Sequence, residues 1–196
     1  MYRHFDLRFD KVAIIIQPGE FFATSDDIVI GTVLGSCVSV ALYDPVTSIG
    51  GLNHFMLPDV SHDISLNTPD GKYGAAAMEL LLNALLKLGS RKKDLMAKVF
   101  GGGVVLSTPE YSPLRVSENN IHFAFKYLKI EKIPVVAADV GGKLGRKLFF
   151  FPKTARVLIK KLNGSVVNPI TEEEKRYLEK VRRELENFGG NPPFIK

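Results

Sequence analysis

The chain has very little cysteine and no long hydrophobic run. Cys37 is its only cysteine, which excludes an intramolecular disulfide and a four-cysteine zinc site. The apolar run 12–16 is too short to form the core of a signal peptide. No stretch approaches the roughly 20 apolar residues that are needed to span a bilayer. These absences predict a soluble, cytoplasmic protein with no membrane insertion.

The chain also lacks a strong charge imbalance. Its 196 residues include 26 basic and 21 acidic side chains, and 45% of them are hydrophobic, as in ordinary globular domains. Residues 126–161 hold ten basic and two acidic residues. A solvated face is the favoured interpretation of this segment, and a docking surface for acidic helices is the second. Nucleic acid is not expected as a partner, because no binding motif accompanies the charge.

The pattern of apolar runs and turn residues predicts an α+β fold, with hairpin-rich layered sheets and flanking helices in a single domain. Short loops join neighbouring apolar runs into hairpins, and the predicted strands outnumber the helices, which argues against a doubly wound parallel sheet. The predicted strands are 12–16, 28–34, 38–43, 49–58, 98–106, 134–142, 147–151 and 155–162.

Three segments have helical composition, and a polar segment, 59–72, is predicted to be a surface loop. The helices are predicted over 73–89, over 117–130 with Ser117 as N-cap, and over 171–188. In the last of these, Thr171 and Glu174 have the spacing of a capping box, and Leu178, Val181 and Leu185 form an apolar stripe. The chain is expected to divide into an N-terminal extension packed on the domain (1–27), a core domain (28–165) and a C-terminal helical extension (166–196).

Common ligand-binding motifs are missing. The sequence contains no phosphate-binding P-loop, no GxGxxG, no HExxH and no EF-hand loop. His62 lies near Asp59 and Asp63, but a solvated loop is the favoured interpretation of that polar segment. We therefore expect neither a metal nor another cofactor.

The hairpin of strands 38–43 and 49–58 brings the only thiol close to an imidazole. If its loop is centred near residue 46, His54 lies opposite residue 38, within one position of Cys37. Directly opposed Cβ atoms are about 4.5–5.5 Å apart, which is the reach of a nucleophile and its base. A slip of one residue in this register would turn the side chains to the other face.

A cysteine beside a histidine suits acyl transfer. A neighbouring imidazolium lowers the pKa of a thiol from about 8.5, and the thiolate can then attack a carbonyl carbon. Gly35 is expected to take a positive φ in a tight turn, which would aim the Cys37 N–H and the Ser36 hydroxyl at a developing oxyanion. From these residues alone, a buried small cysteine and a structural histidine remain open alternatives.

Six segments resemble the CheD family, the chemoreceptor glutamine deamidases of bacterial chemotaxis. They are LGSCVSVALYDP, GGLNHFMLPD, KYGAAAMELLLNALLKLG, KVFGGG, ENNIHFAFKYL and ADVGGKLGRKLFF, in the family's order and spacing from about residue 28 to 165. The resemblance implies a cofactor-free protein-glutamine glutaminase, with Cys37 forming a thioester and His54 as its base. It also implies substrates on the cytoplasmic helices of methyl-accepting chemotaxis receptors and a fold shared with a toxin deamidase of Rho proteins. The same thioester chemistry could cleave glutamate methyl esters of the receptors, since acyl transfer accepts either leaving group.

One position departs from the family pattern. The family's third active-site member is a threonine six residues before the cysteine, where this chain has Gly31 followed by Thr32. Thr32 could serve instead, a backbone carbonyl could orient His54, or activity could be weakened. The alternative function is a weakly catalytic or non-catalytic binding module that regulates a CheC-type phosphatase, a partner implied by the same resemblance.

Overall fold

The computed structural model describes residues 1–57, 69–105, 113–163 and 167–187. These ranges contain three α-helices: α1 (Pro69–Lys87), α2 (Pro113–Ile130) and α3 (Val167–Asn187). The strands are β1 (Tyr2–Asp6), β2 (Lys11–Ile15), β3 (Phe21–Thr24), β4 (Val29–Leu34), β5 (Val38–Asp44), β6 (Ile49–Asn53), β7 (Met96–Gly101), β8 (Val135–Val140), β9 (Gly145–Phe151) and β10 (Arg156–Leu162). Within these ranges, no helix has the length and apolarity that a membrane crossing requires.

The strands form two five-stranded mixed sheets. The first has the order β1-β2-β4-β9-β10, and the second has the order β3-β6-β5-β7-β8. The pairs β2–β4 and β7–β8 are parallel, and the other pairs are antiparallel. The predicted α+β fold with layered sheets and flanking helices is confirmed.

Alternation along β5 separates two apolar cores. Ala41 and Tyr43 face the first sheet and pack in a cluster with its buried side chains, among them Leu148. Val40 and Leu42 face the opposite way and belong to the core formed with α1 and α2. The molecule is therefore built from two sheets packed face to face, with helices on the outer face of the second sheet.

The first 24 residues contribute strands to both sheets. β2 pairs with β4 in the first sheet, and β3 pairs with β6 in the second. The predicted strand at 12–16 corresponds to β2, whereas β1 and β3 were not predicted. β1 is an edge strand with four exposed residues, and β3 has only four residues, so neither carries a clear apolar pattern. The division into 1–27, 28–165 and 166–196 stays a prediction.

All three helices begin earlier than predicted. α1 begins at Pro69, so the loop predicted for 69–72 is helical there, and the rest of that loop, with Asp59, His62 and Asp63, lies outside the described residues. Proline is favoured in the first helical turn because its missing N–H has no intrahelical acceptor there. Ser117 is not an N-cap, because α2 begins at Pro113, and its hydroxyl donates to the Gly103 carbonyl at 3.1 Å.

Candidate active site

The predicted register of the β5–β6 hairpin is wrong by one residue. Ala41 pairs with Leu52, and an isolated bridge joins Val38 to Phe55, so His54 lies opposite Ser39 and not opposite residue 38. Cys37 consequently shares with His54 the face directed at the first sheet, while Val38 and Phe55 face the helices. The one-residue shift therefore places the thiol and the imidazole in the same layer, as diagonal neighbours.

The thiol, the imidazole and an unforeseen carboxylate meet between the sheets. Cys37 Sγ, a ring nitrogen of His54 and a carboxylate oxygen of Glu174 lie within 4.8 Å of one another. All three residues are buried. This spacing is wider than the roughly 2.6–3.2 Å of a hydrogen-bonded nucleophile and base, and it makes the thiol and the imidazole near neighbours in one buried cluster.

Thr32 orients His54 from the opposite sheet. Its Oγ1 lies 2.8 Å from His54 Nδ1 and 2.9 Å from the Ile16 carbonyl oxygen. A hydroxyl has one proton, and the carbonyl can only accept, so Thr32 donates to Ile16 and accepts from Nδ1–H of His54. This network assigns the neutral imidazole a free lone pair on Nε2, an atom that has no hydrogen-bond partner among the described residues.

Gly31 faces away from the imidazole. A Cβ atom built on Gly31 would lie 2.7 Å from Ile15 Cδ1 and 3.4 Å from Phe149 Cδ1, on the outer side of the first sheet. Thr32, the next residue of β4, points into the layer between the sheets, because successive side chains of a strand alternate. Of the two positions considered from the sequence, position 32 is therefore the one in contact with His54.

The segment 35–37 directs three consecutive backbone N–H groups at one carboxylate. Oε1 of Glu174 accepts from the N–H groups of Gly35 at 2.9 Å and Cys37 at 3.1 Å. Oε2 accepts from the Ser36 N–H at 3.0 Å and from the Ser36 hydroxyl at 2.7 Å. Converging backbone donors of this kind form an anion-binding nest, which is also the construction of an oxyanion hole.

The carbonyl groups of the same segment are fixed on its other side. Gly103 N–H donates to the Gly35 carbonyl and Gly102 N–H to the Cys37 carbonyl, each at 2.7 Å. The Asn120 amide donates to the Ser36 carbonyl at 3.1 Å. The Gly35 and Ser36 carbonyls belong to the peptide units that carry the Ser36 and Cys37 N–H groups, so these two N–H groups stay aimed at the carboxylate. Asn120 was not foreseen as part of this site.

Two sequence-based expectations about the site are wrong. Gly35 does not have a positive φ; its missing side chain instead leaves room for the anion, since a Cβ would lie 2.8 Å from Glu174 Oε2. Thr171 and Glu174 do not form a capping box, because α3 begins at Val167 and the Glu174 carboxylate binds the N–H groups of residues 35–37.

Burial and the nearby carboxylate keep the reacting pair uncharged. Burial, followed by the negative charge of Glu174, raises the pKa of the Cys37 thiol well above its ordinary value. Burial alone lowers the pKa of His54 from 6.5 to about 3. With α3 in place, the site therefore holds a neutral thiol beside a neutral imidazole.

The same three side chains have the spacing of a metal site. Cys37, His54 and Glu174 each offer one ligand atom within the 4.8 Å cluster. A metal ion would compete with the four donors that already bind the two oxygens of Glu174.

Comparisons with known proteins identify the family of this chain. Residues 56–161 match the family described as CheD chemotactic sensory transduction. The chain is 43% identical over 193 residues to a probable chemoreceptor glutamine deamidase CheD 1 of Shewanella oneidensis, covering 95% of this chain and 93% of that relative. This chain belongs to the CheD family. The predicted resemblance is confirmed.

Other members of the CheD family match over similar lengths. Proteins with the name probable chemoreceptor glutamine deamidase CheD from a Janthinobacterium species and from Methylobacillus flagellatus are 44% and 45% identical over 180 and 182 residues. Each match covers 91% of this chain and 88% of the relative. The crystal structure of the Bacillus licheniformis hypothetical protein YfiH has a TM-score of 0.39 and 16% identity, over 61% of this chain and 50% of that one.

Part of the basic segment 126–161 is neutralised internally in this CheD family member. Arg146 is 2% exposed, and its Nε donates to Asp139 at 2.8 Å. Lys161 pairs with the same carboxylate. The excess of basic residues in the sequence thus overstates the charge presented on the surface, and a docking role for this segment stays a prediction.

The glycine run that supports the nucleophile segment gives a testable effect on stability. Gly101 has a φ of +109°, and a Cβ there would lie 2.2 Å from the Cys37 carbonyl oxygen. We expect Gly101→Ala to lower the free energy of unfolding, measured in urea. The loss should exceed by about 1–3 kcal/mol the loss caused by the strain of a positive φ without a steric clash. Gly89→Ala is the matched control, since Gly89 has a φ of +108° with open space around it. Equal destabilisation by the two substitutions would contradict the close approach.

Proposed function

We propose that this chain is a protein-glutamine amidohydrolase of chemotaxis, which deamidates glutamine side chains of chemoreceptors to glutamate. The names of its relatives support the substrate class. The observation that carries the chemistry is the Glu174 carboxylate, held by the N–H groups of residues 35–37 beside Cys37 and His54. A carboxylate on a glutamate side chain is the product of glutamine deamidation, so the site binds the product's functional group.

The first half of the reaction forms a thioester. His54 Nε2 accepts the thiol proton as Cys37 Sγ attacks the side-chain carbonyl carbon of the substrate glutamine. The carbonyl oxygen becomes an oxyanion, which the N–H groups of residues 35–37 stabilise; one such donor is typically worth about 10²–10³ in rate. The imidazolium then donates its proton to the amide nitrogen, the C–N bond breaks, and ammonia leaves.

The second half hydrolyses the thioester. His54 accepts a proton from water, and the resulting hydroxide attacks the thioester carbon to form a second oxyanion in the same nest. The C–S bond breaks, Cys37 regains the proton from the imidazolium, and the product is a glutamate side chain. A glutamate methyl ester would follow the same steps, with methanol as the leaving group.

Mass spectrometry of a chemoreceptor cytoplasmic fragment tests this function. After incubation with the full chain, we expect specific glutamines in the fragment to become glutamates, with one ammonia released for each conversion. A parallel incubation with Glu174→Ala removes the carboxylate that occupies the N–H groups of residues 35–37. Unchanged glutamines with both proteins would contradict the proposed function.

We expect Thr32 to act as a positioning residue. Thr32→Val removes the hydroxyl that accepts from His54 Nδ1 and donates to Ile16, and a misplaced base can cost about 10²-fold in rate. The loss should appear in kcat with little change in KM, and Thr32→Ser should restore most of it. A kcat that is the same in Thr32→Val and the wild type would contradict this role.

A further inference from the structure

The C-terminal helix α3 presents one buried stripe to the rest of the chain. Glu174, Leu178 and Val181 are 1%, 4% and 1% exposed, and their spacing of four and seven residues puts them on one helix face. Leu178 packs into the core between the sheets, and Val181 packs with Tyr73 of α1. The groove that holds α3 therefore runs from the segment 35–37 to the first turns of α1.

Tyr177 closes a further side of this groove. Its hydroxyl forms a hydrogen bond with the hydroxyl of Tyr73. Its ring lies against Gly19, where a Cβ atom would lie 2.6 Å from the ring. These contacts join α3 to two elements that border the site, the turn after β2 and the helix α1.

With α3 docked, the reacting atoms cannot meet a substrate. Cys37 is 0% exposed and His54 is 2% exposed, although the proposed substrate is a side chain of another protein. The nest that would stabilise the oxyanion is filled by the two oxygens of Glu174. Turnover therefore requires α3 to leave the groove.

The part of α3 that fills the groove indicates what kind of ligand the groove binds. A glutamate side chain on a helix reaches the nucleophile segment, which is the arrangement expected of a deamidated glutamine on a receptor helix. We propose that α3 occupies the groove in which the substrate helix binds, with Glu174 in the place of the product glutamate, and that substrate helices compete with it. This inference rests on the proposed function.

The same geometry defines which helices fit. A substrate helix carries its glutamine at the position of Glu174. It has apolar side chains four and seven residues further on, where Leu178 and Val181 pack. A helix with charged residues at those two positions would bury them without partners, which is costly.

Two rates in the full chain test the competition: alkylation of Cys37 by iodoacetamide, and deamidation of a chemoreceptor cytoplasmic fragment. Glu174→Ala removes the carboxylate, and Glu179→Ala is the matched control, because Glu179 is an exposed carboxylate on the same helix. A closed state populated to about 90% or more reduces apparent affinity about tenfold or more. We expect Glu174→Ala to speed alkylation and to lower the KM for the fragment by that factor. Glu179→Ala should match the wild type.

The outcomes separate the inference from the function on which it rests. Equal alkylation rates in the wild type, Glu174→Ala and Glu179→Ala would overturn the inference, whether or not the fragment is deamidated. Faster alkylation with an unchanged KM in an active enzyme would overturn the competition alone. Faster alkylation with no deamidation by any variant would overturn the proposed function, and the inference with it. Circular dichroism verifies that each variant folds. Glu174→Asp keeps the charge on a shorter side chain, and its rates of Cys37 alkylation and fragment deamidation provide a second test.

Discussion

Deamidation is expected to be lost when Cys37 is replaced by alanine, with kcat/KM for a chemoreceptor fragment falling by about 10³-fold or more. The reason is that the thioester requires the Cys37 sulfur, and the sequence supplies no second thiol. Cys37→Ser should also be nearly inactive, since the neutral imidazole of His54 would have to activate a hydroxyl group that is far harder to deprotonate than a thiol. The rate is measured from the ammonia released and from the glutamate formed in the fragment.

A matched control separates loss of the nucleophile from loss of packing. Val40 is fully buried in the same strand region, but its side chain faces α1 and α2. Val40→Ala leaves a cavity in that core and is expected to destabilise the protein while retaining the chemistry. A Cys37→Ala protein with turnover close to that of Val40→Ala would contradict the role of the thiol.

Replacing His54 by glutamine is expected to have the second largest effect. The substitution removes the base that takes the Cys37 proton and the acid that serves the leaving nitrogen, so kcat should fall by about 10²–10⁴-fold. The amide of glutamine can still accept or donate at the position of Thr32, which limits structural change. A kcat that is not reduced would contradict the proposed proton transfers.

The same substitution should change how stability depends on pH. Burial lowers the pKa of His54 from 6.5 in the unfolded chain to about 3 in the folded protein. Between these values the unfolded chain binds one more proton, so this group lowers the free energy of unfolding by about 1.4 kcal/mol per pH unit as the pH falls. His54→Gln lacks this component. Its free energy of unfolding, measured in urea, should fall less steeply than that of the wild type as the pH drops below 6.5. Parallel plots of this free energy against pH for the two proteins would contradict the neutral burial of His54.

Much of the fold follows from local sequence patterns. β-branched and aromatic runs bounded by turn residues predicted the β5–β6 and β9–β10 hairpins, and the composition of α1 predicted a buried helix. The pairing of β2 and β3 with strands of two different sheets was not predictable, because no local pattern records which distant strands meet. The exposed edge strand β1 carries no apolar alternation at all.

The candidate site was predicted in part. The hairpin spacing brought Cys37 and His54 together, although the face they share depends on a register that differs by one residue from the prediction. Glu174 was assigned to a helix cap because its spacing from Thr171 fits one. A second pattern pointed elsewhere: Glu174 lies four residues before Leu178 and seven before Val181, on the buried stripe. No local sequence pattern indicates the role of Asn120, since its contact with Ser36 joins residues 84 positions apart.

Conversion of a glutamine introduced at position 174 tests the central claim most directly. In the Glu174→Gln protein, the new amide should lie in the nest of residues 35–37 beside Cys37. We expect the protein to deamidate itself there, releasing ammonia and returning the side chain to glutamate, at a rate that is independent of protein concentration. Peptide mass spectrometry follows the change.

Two controls make this result specific. The amide should persist in the double variant Glu174→Gln with Cys37→Ala, which lacks the nucleophile. It should also persist in Glu179→Gln, where the introduced amide lies on the exposed side of α3. Self-conversion in Glu174→Gln alone is the predicted result. An amide at position 174 that lasts as long as the one at position 179 in a folded protein would contradict the account.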